Sequence, residues 1–164
     1  MRKRLPTFAI SCLLFAASAL SLPHIADAAD IIQAALLACP SDGTSIGGVN
    51  SCGKIWKIKS GKVRLMADGA LKVDVKGLVL NDTTLPPDVN GTADGVGEVV
   101  ATLVCSGGGA SRLAAESDRV PLSKSGDAKI NTKFNLPKNC AGPIVLIREI
   151  WEGKIGGWLA ATGF

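Results

Sequence analysis

Hydrophobic and polar residues alternate with a period of two along much of the chain. This is the pattern of strands that have one buried and one exposed face. The clearest segments are residues 56–59, 62–65, 71–76 and 128–136, and residues 98–105 are predicted as a further strand with Val99, Ala101, Leu103 and Cys105 on one face. Asp68-Gly69, between the second and third of these segments, is a strong hairpin signal. Ser60-Gly61 predicts a further turn between the first two.

Other segments are predicted from hydrophobicity and turn residues. Residues 144–147 are continuously apolar, which indicates a central strand covered on both faces. Residues 30–38 fit either a helix or a strand, and we favour a strand because the rest of the chain reads as β. One more strand is predicted within residues 112–122 and a last one over 158–162. Residues 81–97 contain Pro86-Pro87 and Asn90-Gly91 and predict a long loop.

These segments define the expected fold class. They amount to about eight short strands separated by turns, and no segment of useful length has a helical period. We therefore predict an all-β protein, an antiparallel β-sandwich of Greek-key type with two disulfides. A small β-barrel is the alternative.

The first 28 residues have the order of a secretory signal peptide. Arg2, Lys3 and Arg4 precede an apolar stretch, and Ala26-Asp27-Ala28 supplies small residues before a cleavage site. We predict cleavage after Ala28, which leaves residues 29–164 as a single domain that is secreted or periplasmic. No later segment reaches the ~20 apolar residues of a transmembrane helix, so no membrane span is expected after cleavage.

Four cysteines follow the predicted cleavage site. An even number in an exported chain indicates disulfides, and four cysteines allow three pairings. We favour Cys39–Cys52, which encloses a Ser- and Gly-rich stretch, and Cys105–Cys140, which joins a strand end to a Pro-flanked corner. No C-x-x-C motif or zinc-module spacing is present.

Composition excludes several kinds of chemistry. The single histidine, His24, lies in the signal peptide, so the mature chain has no imidazole for a Ser-His-Asp or Cys-His mechanism or for a metal site. Residues 1–28 also hold three of the 18 basic and one of the 14 acidic residues, which leaves a net charge of +2. That small charge, with no exposed aromatic pattern, predicts no nucleic-acid partner.

Charge is unevenly distributed along the mature chain. Residues 54–76 carry seven basic and two acidic groups, whereas residues 81–127 carry three basic and seven acidic groups. The basic residues fall on the polar side of their predicted strands, where they can form one face toward an anionic protein or an acidic glycan. A lysine-rich solvent face that discourages edge aggregation is the plainer interpretation. The candidate interaction residues are Lys57, Lys59, Lys62 and Arg64.

Two further candidates come from the loops. Asp82, Asp88, Asn90 and Asp94 supply oxygen ligands of the kind that calcium prefers, although their spacing is not that of an EF-hand. Trp151 lies beside a predicted turn and is expected to be exposed as an interface residue, whereas Trp56 and Trp158 share the parity of core positions. We predict no cofactor.

The function expected from these observations is non-catalytic binding. The domain would contact a protein or a cell-envelope glycan through loops 81–97, 106–111 and 148–157, with a secreted inhibitor as one specific form. One alternative is a structural subunit of a cell-envelope assembly. The other is a small hydrolase that uses paired carboxylates such as Glu149 with Glu152 or Glu116 with Asp118.

Overall fold

The structure is a computed structural model that describes residues 28–40, 43–107 and 110–163. The predicted signal peptide therefore lies outside the described residues, apart from Ala28. The predicted glycine-rich turn over 106–111 is described only at its two ends.

The described residues form strands and turns and no helix. The strands are β1 (Asp30–Ala38), β2 (Ser45–Ile46), β3 (Val49–Asn50), β4 (Trp56–Lys57), β5 (Ser60–Met66), β6 (Ala70–Lys76), β7 (Val79–Leu80), β8 (Glu98–Gly107), β9 (Ala110–Glu116), β10 (Val120–Pro121), β11 (Ala128–Lys133), β12 (Ala141–Trp151) and β13 (Lys154–Thr162). The predicted strand over 30–38 and the central strand over 144–147 are confirmed. The region predicted as one strand within 112–122 instead holds β9 and β10, with residues 117–119 between them.

One large antiparallel sheet organises the domain. Its strand order is β10-β8-β12-β13-β1-β5-β6-β11, and β9 pairs with the remaining length of β8. The sheet curls into a half-barrel. Its two ends meet, since β11 contacts both β10 and β8. The predicted all-β, antiparallel class is confirmed.

The inner face of the curled sheet holds the core. Alternate residues of β5 and β6 point into it, among them Val63, Leu65 and Val73. Cross-strand partners share a face of a sheet, so the register carries this inner set across β1, β13, β12 and β8. Burial of this apolar set is the main source of stability.

A second layer covers part of the outer face. Residues 43–52, which include the β2–β3 hairpin, contact β13 and β8, where Gly47 lies against Val104. The indole Nε1 of Trp158 donates to the Thr44 carbonyl oxygen at 3.2 Å, and the Cys52 amide donates to the Trp158 carbonyl at 3.1 Å. Under this layer both alternating sets of β8, β12 and β13 are buried, which explains why residues 144–147 are continuously apolar.

Gly61 lies inside β5, where the sequence predicts a turn. A Cβ built on Gly61 would lie 2.5 Å from Leu36 Cβ and 2.8 Å from Ile58 Cδ1. The glycine therefore allows β1 and the segment before β5 to approach closely, and the Ser60-Gly61 turn prediction is wrong. Asp68-Gly69 does form the predicted hairpin turn, and the Asp68 carboxylate accepts a bond from the Ala70 amide.

Candidate functional site

A groove of about 960 Å³ runs over the outer face of β1, β5, β6 and β11. We call it the outer groove. Three of the predicted interaction residues, Lys59, Lys62 and Arg64, line it. Lys72 of β6 and Lys129 of β11 line it as well. The sheet therefore collects cations from segments that are far apart in the chain.

The strand register arranges the outer groove in cross-strand rows. One row reads Gln33, Arg64, Lys72 and Asn131, and the next reads Ala35, Lys62, Asp74 and Lys129. Directly opposed residues on a sheet have Cβ atoms about 4.5–5.5 Å apart. Each row is thus a line of neighbouring side chains across four strands.

Several cations of the outer groove form no ion pair. Arg64 Nε donates to Asp30 Oδ1 at 2.6 Å, and Lys129 Nζ lies 3.8 Å from Asp74 Oδ2. By contrast, no ion pair joins Lys59, Lys62 or Lys72 to a carboxylate anywhere in the described ranges. Arg64 and Lys72 also stand directly opposite each other, an arrangement of like charges that destabilises a sheet. The outer groove is therefore an electropositive surface.

Part of the outer groove is apolar. Leu37 is 50% exposed at its edge, and Ile58 and Ala35 also line it. The small side chain of Ala35 leaves a low floor between the cationic residues. A bound molecule can therefore contact backbone and aliphatic carbon as well as charge.

Lys57 and Trp151 lie outside the outer groove. Lys57 is on β4, which pairs with β7 rather than with the large sheet. Trp151 is 52% exposed, as predicted, at the hairpin between β12 and β13. Its ring lies against Gly95, where an added Cβ would be 2.9 Å from Trp151 Cζ3. The indole therefore packs on the long loop and keeps about half of its surface in solvent.

The loop over 81–97 is confirmed, but its acidic residues do not form a preassembled calcium site. The Asp82 carboxylate accepts bonds from the Thr84 hydroxyl at 2.6 Å and the Thr84 amide at 2.9 Å, and these bonds hold the pKa of Asp82 below its ordinary value. The Asn90 side-chain oxygen accepts from the Asp82 amide. Across the described residues no group of three or more His, Cys, Asp or Glu side chains is placed to hold a metal, so Asp82, Asp88 and Asp94 are not gathered together. The side chains of Asp82 and Asn90 cap turns instead.

The cysteines are paired in space as predicted. Cys105 and Cys140 form a disulfide that ties β8 to the segment before β12. Cys39 and Cys52 lie close together as two buried thiols. The adjacent Cys39 thiol and burial raise the pKa of Cys52, whose Sγ donates to the Lys54 carbonyl at 3.0 Å. A thiol held protonated is a poor nucleophile, and the second bridge stays a prediction.

The carboxylates considered for hydrolysis have other partners. Glu116 accepts a bond from Arg148 Nη1 at 2.8 Å, and Arg148 is nearly buried. Glu149 is half-buried, and burial raises its pKa. Glu152 occupies an exposed hairpin turn with a φ of 48°. Glu149 and Glu152 therefore belong to different environments, and the geometry offers no reason to couple them.

Three residues of the outer groove, Gln33, Lys129 and Asn131, are not among the predicted residues, whereas Lys72 belongs to the basic face predicted within residues 54–76. Lys129 and Asn131 alternate with apolar neighbours in the sequence, which assigns them to the polar face of a strand, whereas Gln33 lies in the ambiguous stretch 30–38. The order of strands in the sheet brings these residues into two neighbouring rows, and a single sequence does not give that order. The outer groove lies on a sheet face, where the sequence predicts a basic surface, although the expected function assigned the contacts with a partner to the loops.

The fold and the outer groove define an all-β, disulfide-bonded domain with a cationic groove on an antiparallel sheet. Comparison with protein-family models, curated proteins and solved structures found no significant match for any part of the chain. Within the described residues, no helix has the length and apolar character needed to cross a membrane.

Proposed function

We propose that the mature chain is an exported, non-catalytic binding module that holds an anionic partner in the outer groove. The observation that carries this proposal is a set of three lysines in one groove, Lys59, Lys62 and Lys72, that form no ion pair in the described ranges. An anionic ligand would supply the missing countercharge. It would also relieve the repulsion between Arg64 and Lys72.

The position of these lysines argues against a purely protective role. Lysines discourage aggregation when they lie on the edge strand of a sheet. However, β5 lies between β1 and β6, and β6 lies between β5 and β11. Both strands have a neighbouring strand on each side, so the lysines on their outer face do not protect an exposed sheet edge from aggregation.

Titration calorimetry at low ionic strength with polygalacturonate and with polyglutamate tests this function. We expect at least one polyanion to bind, with affinity that falls as salt is raised because the interaction is screened. The variant Lys62→Glu/Lys72→Glu is expected to lose more than tenfold in affinity, since two attractive charges become repulsive. The matched control is Lys124→Glu/Lys154→Glu, which changes net charge equally at exposed positions outside the outer groove.

Two results would overturn the proposal. One is the absence of binding to both polyanions at low salt. The other is an equal loss of affinity in the groove variant and in the control variant, which would show that only net charge matters.

A further inference from the structure

One row of side chains in the outer groove contains amide groups as well as cations, so it can distinguish between anionic ligands of equal charge. Gln33, Arg64, Lys72 and Asn131 follow one another across β1, β5, β6 and β11. The row has two cations in the middle and one amide at each end. It spans three interstrand spacings, or roughly 14 Å.

We infer that the outer groove recognises an acidic saccharide, such as a uronate oligomer, lying across the strands along this row. This inference rests on the proposed function and names the class of its anionic partner. The central cations would hold the carboxylate of one sugar ring. The amides at the two ends would bond to the hydroxyl groups that flank that carboxylate on the same and adjacent rings.

The amides are the first reason to favour a saccharide. Each side-chain amide offers both donors and an acceptor, and a sugar hydroxyl is likewise both a donor and an acceptor. A sugar acid therefore presents neutral hydrogen-bonding groups on both sides of its negative charge. An acidic peptide carries its carboxylate on an aliphatic stem, with no hydroxyl beside it.

Asp74 is the second reason. It lies in the next row, between Lys62 and Lys129, and half of its side chain is exposed. An ionised carboxylate only accepts hydrogen bonds, so it can receive a ligand hydroxyl. Toward a partner whose polar side chains are all carboxylates, Asp74 would add repulsion and no compensating bond.

The floor of the outer groove is the third reason. Ala35 keeps it low, and Leu37 and Ile58 add aliphatic surface at one side. The faces of sugar rings carry C–H groups that can pack on such a surface. The row, the acceptor and the floor together match a stiff ligand with alternating polar and apolar faces.

Two probes of equal charge separate this inference from the proposed function. They are tetragalacturonate and a tetraglutamate peptide with blocked ends, each titrated into the oxidised mature protein. We expect tetragalacturonate to bind about tenfold more tightly, a difference equivalent to one or two additional hydrogen bonds. Gln33→Ala and Asn131→Ala are each expected to weaken tetragalacturonate binding by about fivefold to tenfold and to leave tetraglutamate binding unchanged.

Asn135→Ala is the matched control, because Asn135 is an exposed asparagine that does not line the outer groove. It should leave the binding of both probes unchanged. Equal binding of the two probes, unaffected by the amide variants, would overturn the saccharide assignment and leave the anionic groove intact. Preference for tetraglutamate would assign the outer groove to an acidic protein segment. Failure of both probes to bind would count against the proposed function itself.

Discussion

The outer face of the large sheet differs between its two halves. Over β5, β6 and β11 it is open, and most outward residues are charged or polar. Over β8, β12 and β13 it is buried beneath a layer that includes residues 43–52, and it is apolar apart from Thr102 and Arg148. One cross-strand row crosses the boundary, since Leu37 is 50% exposed while its successive partners Ala161 and Leu146 are 0% exposed. The covering layer, and not the strand pattern alone, decides where a binding surface can exist.

Replacing an outward residue by lysine in each half gives the largest expected contrast. Leu146→Lys would place a charge under the covering layer, where it would have neither water nor a partner. We expect a loss of more than ~4 kcal/mol in unfolding free energy or failure to fold. Asn131→Lys, on the open half and directly opposite Lys72, should cost no more than about 1 kcal/mol through like-charge repulsion. Urea denaturation of both oxidised variants measures the contrast.

A milder variant keeps this comparison informative if Leu146→Lys does not fold. Leu146→Ala should still cost about 2–5 kcal/mol because it leaves a cavity in a fully packed site. A loss of less than 1 kcal/mol in the unfolding free energy of Leu146→Ala would show that the outer face of β8, β12 and β13 is not covered in solution.

The hairpin turn of the covering layer provides the next contrast. Gly47 and Gly48 both have positive φ, at 62° and 81°, but only Gly47 faces a neighbour, since its added Cβ would lie 2.6 Å from Val104 Cγ1. Gly48→Ala is expected to cost about 1–2 kcal/mol through backbone strain. Gly47→Ala should cost about 1–3 kcal/mol more through overpacking against a buried valine. Thermal unfolding of the pair measures the difference, and equal losses would place the hairpin away from β8.

The same two halves show how far a single sequence can be interpreted. Alternation in residues 62–65, 71–76 and 128–136 identified open strands, and the continuous apolar run at 144–147 identified a covered strand. Both signals are local, because each reports the two faces of one strand. The order of strands and the identity of the covering layer depend on contacts between distant segments. For that reason Lys62 and Arg64 were recognised as candidates, while Gln33 and Asn131 were not joined to them.

Glu149 lies at the margin of the covered half and predicts a pH effect. Burial raises its pKa above the ordinary glutamate value, so the folded state holds the proton more tightly than the unfolded state. Its contribution to stability is therefore complete below the ordinary pKa and is lost as pH rises through the raised pKa. Glu149→Gln should be more stable than the parent at pH 7 and similar to it below about pH 4.

We expect this gain to be smaller than the loss from either glycine change, because the carboxyl is only half-buried and solvent screens it. Denaturation at both pH values measures the gain. Glu152→Gln in the exposed turn is the control and should show no such pH dependence. A gain that is the same at the two pH values would contradict the burial argument.

The smallest expected effect links stability to binding on the open half. Lys72→Thr removes one member of the like-charged Arg64–Lys72 pair, so we expect a gain of about 0.2–1 kcal/mol in unfolding free energy at low salt. The gain should shrink as salt screens the repulsion. Lys76→Thr is the matched control, because Lys76 lies on the same face of β6 but forms an ion pair with Asp127 at 3.5 Å. The control variant has the same change in strand propensity and should give no gain.

If Lys72→Thr is more stable and also binds polyanions less tightly, Lys72 lowers the stability of the domain but contributes to binding. If neither variant gains, the opposed charges cost nothing and this electrostatic argument for the outer groove fails.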